Sequence, residues 1–273
     1  MRELLRPVDL RIQRFHAQHA ELAAIINAWI EKAKSQCHME DLPERLGFRL
    51  IFDGTDSEPP LGQWSLLVGE YVHNMRSTLD NLAYALSRLQ QDPPAKPDAV
   101  QFPIYKSAKG FADWGRRGTT QMSVAAADLI EKMQPFQRSL SLGNGSPEWD
   151  GLDLLRILSN DDKHRVPALM LVAPKRLDHS FTAKFATNEL AYANSPSETN
   201  TSVNAGPLEP GMVLFEYRTT SPILTISGTM KLSANIALAA SKNPDPAINV
   251  LGMLGDYVGV IVDQFRPFFE PKA

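Results

Sequence analysis

Two clusters in this chain have residue types and spacings that could carry chemistry. The first lies in residues 64–91, WSLLVGEYVHNMRSTLDNLAYALSRLQQ. Stepped at about 100° per residue, Glu70, His73, Asn74, Ser77, Asp80, Asn81 and Tyr84 share one side of a helix, with Arg76 on its edge. Arg76 and Asp80 are spaced to pair along that helix. His73 can give or take a proton near neutral pH. Short hydrogen-bonding side chains fill this face instead of the Lys and Glu typical of solvated helices. Several are poor helix formers, so something other than propensity keeps them there. The second cluster is Asn160-Asp161-Asp162-Lys163-His164-Arg165. Asp162 can orient His164 or pair with Arg76, and Lys163 and Arg165 can neutralise a phosphate.

These roles define one expected site. Arg76, His73, Asp80, Asp162 and His164 are its catalytic candidates. Asn74, Ser77, Asn81, Lys163 and Arg165 are its ligand- or phosphate-binding candidates. The site requires both clusters to meet in one pocket. The plainer alternative is a solvated helix face with an ordinary ion pair, plus a charged helix end whose cations suit the helix dipole. Asp161, Asp162 and His164, with Glu70 or His73, have ligand chemistry for a metal-dependent hydrolase. Nothing in the sequence fixes their geometry, so no metal site and no cofactor is assigned.

Composition narrows the classes. The apolar share is 43% and the charged share 22%, ordinary for a globular chain. A net charge of −3 argues against bulk electrostatic binding to duplex DNA. Cys37 is the single cysteine, which excludes an internal disulfide and a thiolate metal cluster. The start, MRELLRPVDLRIQRF, lacks the apolar run of a signal peptide. No window reaches the roughly 18 uninterrupted apolar residues of a membrane span. The expectation is a soluble, cytoplasmic protein with no membrane partner.

The positioning elements follow in order. Asp9 is expected to cap a helix over 10–40, with Phe15, Leu22, Ile26, Trp29 and Ile30 at helical spacing and Pro43 ending it. His16 and His19, on this helix, read as helix-face histidines. Residues 48–52 form a short strand candidate. On the central helix, Val68, Tyr71, Met75, Leu79, Leu82, Leu86 and Leu89 form the packed side opposite the polar one. Prolines 93, 94 and 97 stop it, and Phe102-Pro103-Ile104 reads as a buried extended piece. Phe111 and Trp114 suggest a short amphipathic turn, and GRRGTT an exposed loop. Ser123 caps a helix to about Met133. Ser146, Pro147 and Glu148 open the helix that ends in the second cluster, with Trp149, Leu152, Leu155 and Leu158 inward.

The pattern then changes to period two. Residues 168–173 and 179–186, then 212–218 and 222–232, predict an antiparallel sheet of about four strands. Leu224, Ile226, Met230 and Leu232 align on one face of the last. The polar stretch between the two pairs reads as a flexible loop, and 233–241 fits either strand or helix. Asp245 and Pro246 start a final helix, whose Gly252, Gly255 and Gly259 suggest a closely packed neighbour. The fold class expected is α+β. One domain spans 1–273: a helical bundle (1–165 and 243–273) carrying a β insertion at 166–242 before the C-terminal helix.

The run from Glu70 to Tyr84, the Phe102-Pro103-Ile104 segment and Asp162-Lys163-His164-Arg165 together resemble an uncharacterised bacterial family. The helix itself is similar to those of the HEPN superfamily, whose nucleases have an Arg, a gap of four to six residues and then a His, often as Arg-x-x-x-Asp-His. Arg76 and Asp80 match that pattern, and Asn81 stands where the His would be. An Asn amide cannot act as a general acid or base, so His73 or His164 would have to move the proton. The resemblance implies a helical protein directed at RNA or a nucleotide, with a site assembled across a homodimer. The Asn at position 81 favours a non-catalytic member, in which the polar face is a structural network or a ligand-sensing or protein-interaction pocket.

Overall fold

In this computed structural model the structure describes residues 2–138, 150–164, 169–172, 178–185, 200–203, 207–232, 234–240 and 245–271. The fold is α+β. Among the described residues the helices are α1 (Arg6–Lys32), α2 (Leu61–Arg88), α3 (Ala108–Asp113), α4 (Val124–Lys132), α5 (Gly151–His164) and α6 (Ala247–Phe265). The strands are β1 (Ser35–Asp41), β2 (Gly47–Thr55), β3 (Leu169–Val172), β4 (Asp178–Phe185), β5 (Asn200–Val203), β6 (Val213–Arg218), β7 (Ile223–Lys231) and β8 (Asn235–Leu238).

The centre of the molecule is α2. Val68, Val72, Met75, Leu79 and Leu82 are fully buried, each removing an apolar side chain from water for roughly 1.5–3 kcal/mol. α1 runs antiparallel beside it: Trp29 meets Trp64, Phe15 meets Tyr71, and Arg11 reaches Asn74. α5 packs on another side through Leu152, Leu155 and Leu158. α6 closes the bundle against α1 and α2. The buried Tyr71 hydroxyl donates to the Leu251 carbonyl at 2.9 Å, and His19 Nε2 lies 2.8 Å from the Ile248 carbonyl. Gly255 and Gly252 leave the room for those two rings: a Cβ would fall 2.4 Å from the Tyr71 hydroxyl and 3.0 Å from His19 Nε2. Gly259 has open space instead. Ala247–Phe269 is apolar and long enough to cross a membrane by length and composition alone. Its Leu251, Leu254, Val258 and Ile261 side is buried against the bundle, which is the pattern of a core helix.

Several sequence expectations need correction. Asp9 caps nothing: the helix starts at Arg6, and Asp9 pairs with Arg266 at 2.8 Å, tying the two ends of the chain. The first helix stops at Lys32, and β1 takes the residues read as its last turns. β1 and β2 form a hairpin whose β2 pairs with β6, so the sheet, in the order β1-β2-β6-β5, joins residues from before α2 to the 166–242 segment. β3–β8 and β4–β7 form two further antiparallel pairs, making six strand segments among the described residues of the insertion where about four were expected. β5 lies within the stretch read as loop, and β8 resolves 235–238 as strand. Leu224 is 51% exposed, while Ile223 is buried. A bulge pairs Lys184 with Thr225 but Phe185 with Ile223, and the extra residue reverses the alternation there.

Other expectations hold. Ser123 caps α4 by accepting from the Ala126 amide. Phe102 and Ile104 are buried, Phe111 is buried on α3, and Trp114 stands exposed. GRRGTT, expected as an exposed loop, is instead a 3-10 turn with Gly115, Gly118 and Thr119 buried and only the two arginines and Thr120 outside. The start of the last helix is corrected by one residue: it begins at Ala247, so the cap position falls on Pro246 and not on Asp245. The start signal at Ser146-Pro147-Glu148, with Trp149, lies outside the described residues.

The sheet is joined to the hairpin by packing and charge. Phe48 of β2 touches Phe181, Phe215 and Tyr217, with centroids 5.3, 5.8 and 5.6 Å away. Gly47, at φ +143°, sits where a Cβ would lie 2.0 Å from the Tyr217 carbonyl, so only glycine fits. Arg49 and Glu216, opposite each other across β2 and β6, are 2.6 Å apart. Arg49, with Arg218 beside it, holds the Glu216 carboxyl below the usual range.

Candidate functional site

α2 positions the first cluster as its periodicity requires, but the structure gives its members unlike surroundings. Arg76 is largely enclosed. Its Nε donates to Asp80 Oδ2 at 3.1 Å, and its Nη2 donates to Asp80 Oδ1 at 2.8 Å and to the Phe102 carbonyl at 2.6 Å. Asp80 Oδ1 in turn accepts from the Phe102 amide at 3.0 Å. One ion pair therefore satisfies both backbone groups of Phe102, where the chain returns from the proline-rich linker and has no sheet or helix to satisfy them. Gln134, 1% exposed, serves the backbone on either side of Ile104: its side-chain oxygen accepts from the Tyr105 amide at 2.9 Å and its nitrogen donates to the Pro103 carbonyl at 2.8 Å. The Phe-Pro-Ile segment is thus clamped to α2 by Arg76 and Asp80, and to the end of α4 by Gln134.

Asn74 is also occupied. Its oxygen accepts from Arg11 at 2.9 Å and its nitrogen donates to the buried Gln18 at 2.8 Å, so this residue links α2 to α1. His73 is exposed, with Nε2 3.3 Å from the Ser77 hydroxyl one turn on. Asn81 and Tyr84 are half-buried, and Glu70 is exposed. Of the ten site candidates, then, Arg76, Asp80 and Asn74 are held by structural partners, while His73, Ser77 and Asn81 face outward or lie half-buried.

The second cluster ends α5. Asp161 and Asp162 are half-buried there. Lys163 and His164 are helical, but their side chains, and all of Arg165, lie outside the described residues. So does the expected meeting of His164 with Arg76. The chain that carries Phe102 continues to Lys106, whose Nζ lies 3.7 Å from the buried Asp153 in the first turn of α5. His164 is eleven residues beyond Asp153 on that helix, about 16 Å along its axis. Lys106, four residues beyond Phe102, is thus tied to the first turn of α5.

Sequence reasoning passed over Arg11 and Gln18, which hold Asn74 of the polar face, and Gln134, which holds the Phe-Pro-Ile segment. It also passed over a charged cluster at the start of α5. Asp150 caps that helix by accepting from the Leu152 amide at 2.7 Å. Arg138 reaches Asp150 at 2.5 Å and the Tyr257 hydroxyl at 2.8 Å. Burial, then the charge of Asp150, pushes the Tyr257 hydroxyl up, so it stays protonated.

Burial, then the negative charge of Asp53, pushes the Cys37 thiol up to about 11, far from a reactive thiolate at neutral pH. No group of three His, Cys, Asp or Glu side chains gathers as metal ligands among the described residues. Comparison of the chain with family models, with curated proteins and with solved structures returned no match.

Proposed function

We propose that this chain is a HEPN-like helical protein that binds rather than cleaves, a non-catalytic interaction or ligand-sensing module. Its Arg-Asp pair has become a latch for the Phe102-Pro103-Ile104 segment. The observation that carries this reading is the engagement of Arg76 with Asp80 and the Phe102 carbonyl. An arginine that meets a reacting phosphate must aim its fork at the substrate. Turning this one outward breaks three hydrogen bonds to or from charged groups, each worth roughly 1.5–3 kcal/mol. Asn81 adds a second obstacle, since it cannot titrate in place of the His that the resemblance calls for. A cytoplasmic location belongs to the same proposal.

One observation favours a second reading, action on RNA or a nucleotide. His73 is exposed, beside Ser77 and one turn before Arg76 and the half-exposed Asp80. Incubation of purified protein with labelled single-stranded RNA separates the two readings. The expected result is no cleavage above buffer. RNA turnover that Arg76→Ala or His73→Ala abolishes, with the fold unchanged, contradicts the proposal.

A further inference from the structure

We infer that the outward face of α1 is an interface on which a second copy of this chain docks, antiparallel, about a two-fold axis beside Ala17. Leu10 and Ile25 are 54% and 40% exposed, while Phe15, Leu22 and Ile26 on the inner side of the same helix are buried. At about 100° per residue, Leu10, Arg14, Ala17, Glu21 and Ile25 fall within an arc of about 80°. All five are exposed.

The order of these residues selects the partner. Along α1 it runs apolar, cationic, small, acidic, apolar. Read backwards, that order complements itself. The midpoint of positions 10 and 25 is also that of positions 14 and 21, so one register satisfies both pairs. An antiparallel copy sets Leu10 opposite the copy's Ile25 and Arg14 opposite the copy's Glu21. Symmetry repeats both contacts in reverse, as an isologous interface requires. Ala17, at the axis, lets the helices approach closely.

Within one chain Arg14 and Glu21 lie 3.3 Å apart, with 51% and 65% of their side chains in water, so each keeps room for a further charged partner. Exposed, such a pair contributes little. Four charges alternating in sign between two helices attract more strongly, because the flanking apolar contacts lower the dielectric around them. Met253 and Val260 on α6 are exposed as well, but Asp256 between them is an acid with no cation in that stripe, so a copy docked there finds no opposite charge. The stretch of α1 from Leu10 to Ile25 is about 22 Å long. A contact of that extent lies near the small end of specific interfaces, so the association is weak and reversible. None of the ten site candidates lies on α1, which makes this a different dimer from the site-sharing one that the HEPN resemblance implies.

Sedimentation velocity of the full-length chain at low ionic strength, from about 1 µM to 1 mM, reads the association. The native chain is expected to pass from monomer towards dimer within that range. Ile25→Gln, an exposed change that keeps a helix former, is expected to raise the dissociation constant at least about tenfold. Arg14→Glu makes both charged positions acidic, and Glu21→Arg makes both basic. Each of these variants alone is expected to stay monomeric, because its copies repel. Mixed in equal amounts they are expected to form a dimer, because every acid then faces a cation. Circular dichroism of each variant is expected to match that of the native chain, since the altered side chains are exposed. A native chain that is still monomeric at about 1 mM overturns the inference. So does a dimer that the charge variants leave unchanged, or a mixture that associates no better than its components. Each readout is a mass, so the outcome is independent of the latch at Arg76 and of RNA turnover.

Discussion

Replacing Arg76 with alanine is expected to lower stability by roughly 1–3 kcal/mol, a fall in melting temperature of about 3–9 °C for a chain of this size. Removal of one partner of a fully buried ion pair costs about 3–5 kcal/mol. Asp80 keeps 37% of its side-chain surface in water, so its orphaned charge is partly rehydrated and the smaller figure applies. The Phe102 carbonyl loses its 2.6 Å donor as well. Arg76→Lys is expected to recover only part of the loss, because an ammonium cannot reproduce the planar fork that serves Asp80 and Phe102 together. Thermal denaturation of the three proteins checks this. A catalytic arginine with no structural role would leave the melting temperature where it was.

A second large effect is expected on α6, where one substitution has opposite signs at two glycines. Gly255→Ala places a methyl group 2.4 Å from the Tyr71 hydroxyl, with Phe15 only 3.3 Å away on the same side. Neither ring can retreat, since both are fully buried in the bundle. Overpacking costs about 1–3 kcal/mol. Displacing the hydroxyl from the Leu251 carbonyl adds about 1–3 kcal/mol, against a gain of about 1 kcal/mol in helix propensity. The net expectation is a loss of about 1–5 kcal/mol. Gly259→Ala meets nothing within 4 Å and is expected to stabilise by about 0.5–1 kcal/mol. Tyr71→Phe removes the clashing oxygen, so Gly255→Ala is expected to cost less in that background than in the native protein. Denaturant melts of the four variants decide it. Equal effects at both glycines would mean that α6 does not pack on Tyr71 in this way.

The parts of the fold legible in the sequence are those with one buried face. α2 announced itself because its apolar and polar residues separate cleanly at the helical period, and nearly every residue on its apolar side is buried. The strands that escaped notice, β1 (SQCHMED) and β5 (NTSV), are the two edges of the four-stranded sheet. Edge strands carry polar residues that discourage further pairing, and so lose the alternation by which strands are recognised. The bulge at Leu224 was illegible for a related reason: alternation holds only while the register does.

The site shows the same division. The Arg76–Asp80 pair follows from spacing on one helix. What the pair does depends on Phe102, whose contribution is a backbone carbonyl and amide that every residue possesses. Asn74 likewise looked available because Arg11 and Gln18 stand far away in sequence. Short polar side chains on a helix signal that hydrogen bonds are made; they do not say whether a ligand or another part of the chain makes them.

The most direct test of the latch is the exchange rate of the Phe102 amide hydrogen in the native protein and in Asp80→Ala. That amide has the Asp80 carboxylate as its acceptor, so it is expected to be protected in the native protein and to exchange much faster in the variant, while amides in the middle of α2 change far less. A Phe102 amide that exchanges freely in the native protein, or equally slowly in both, would contradict the account and leave Arg76 and Asp80 free to serve a ligand.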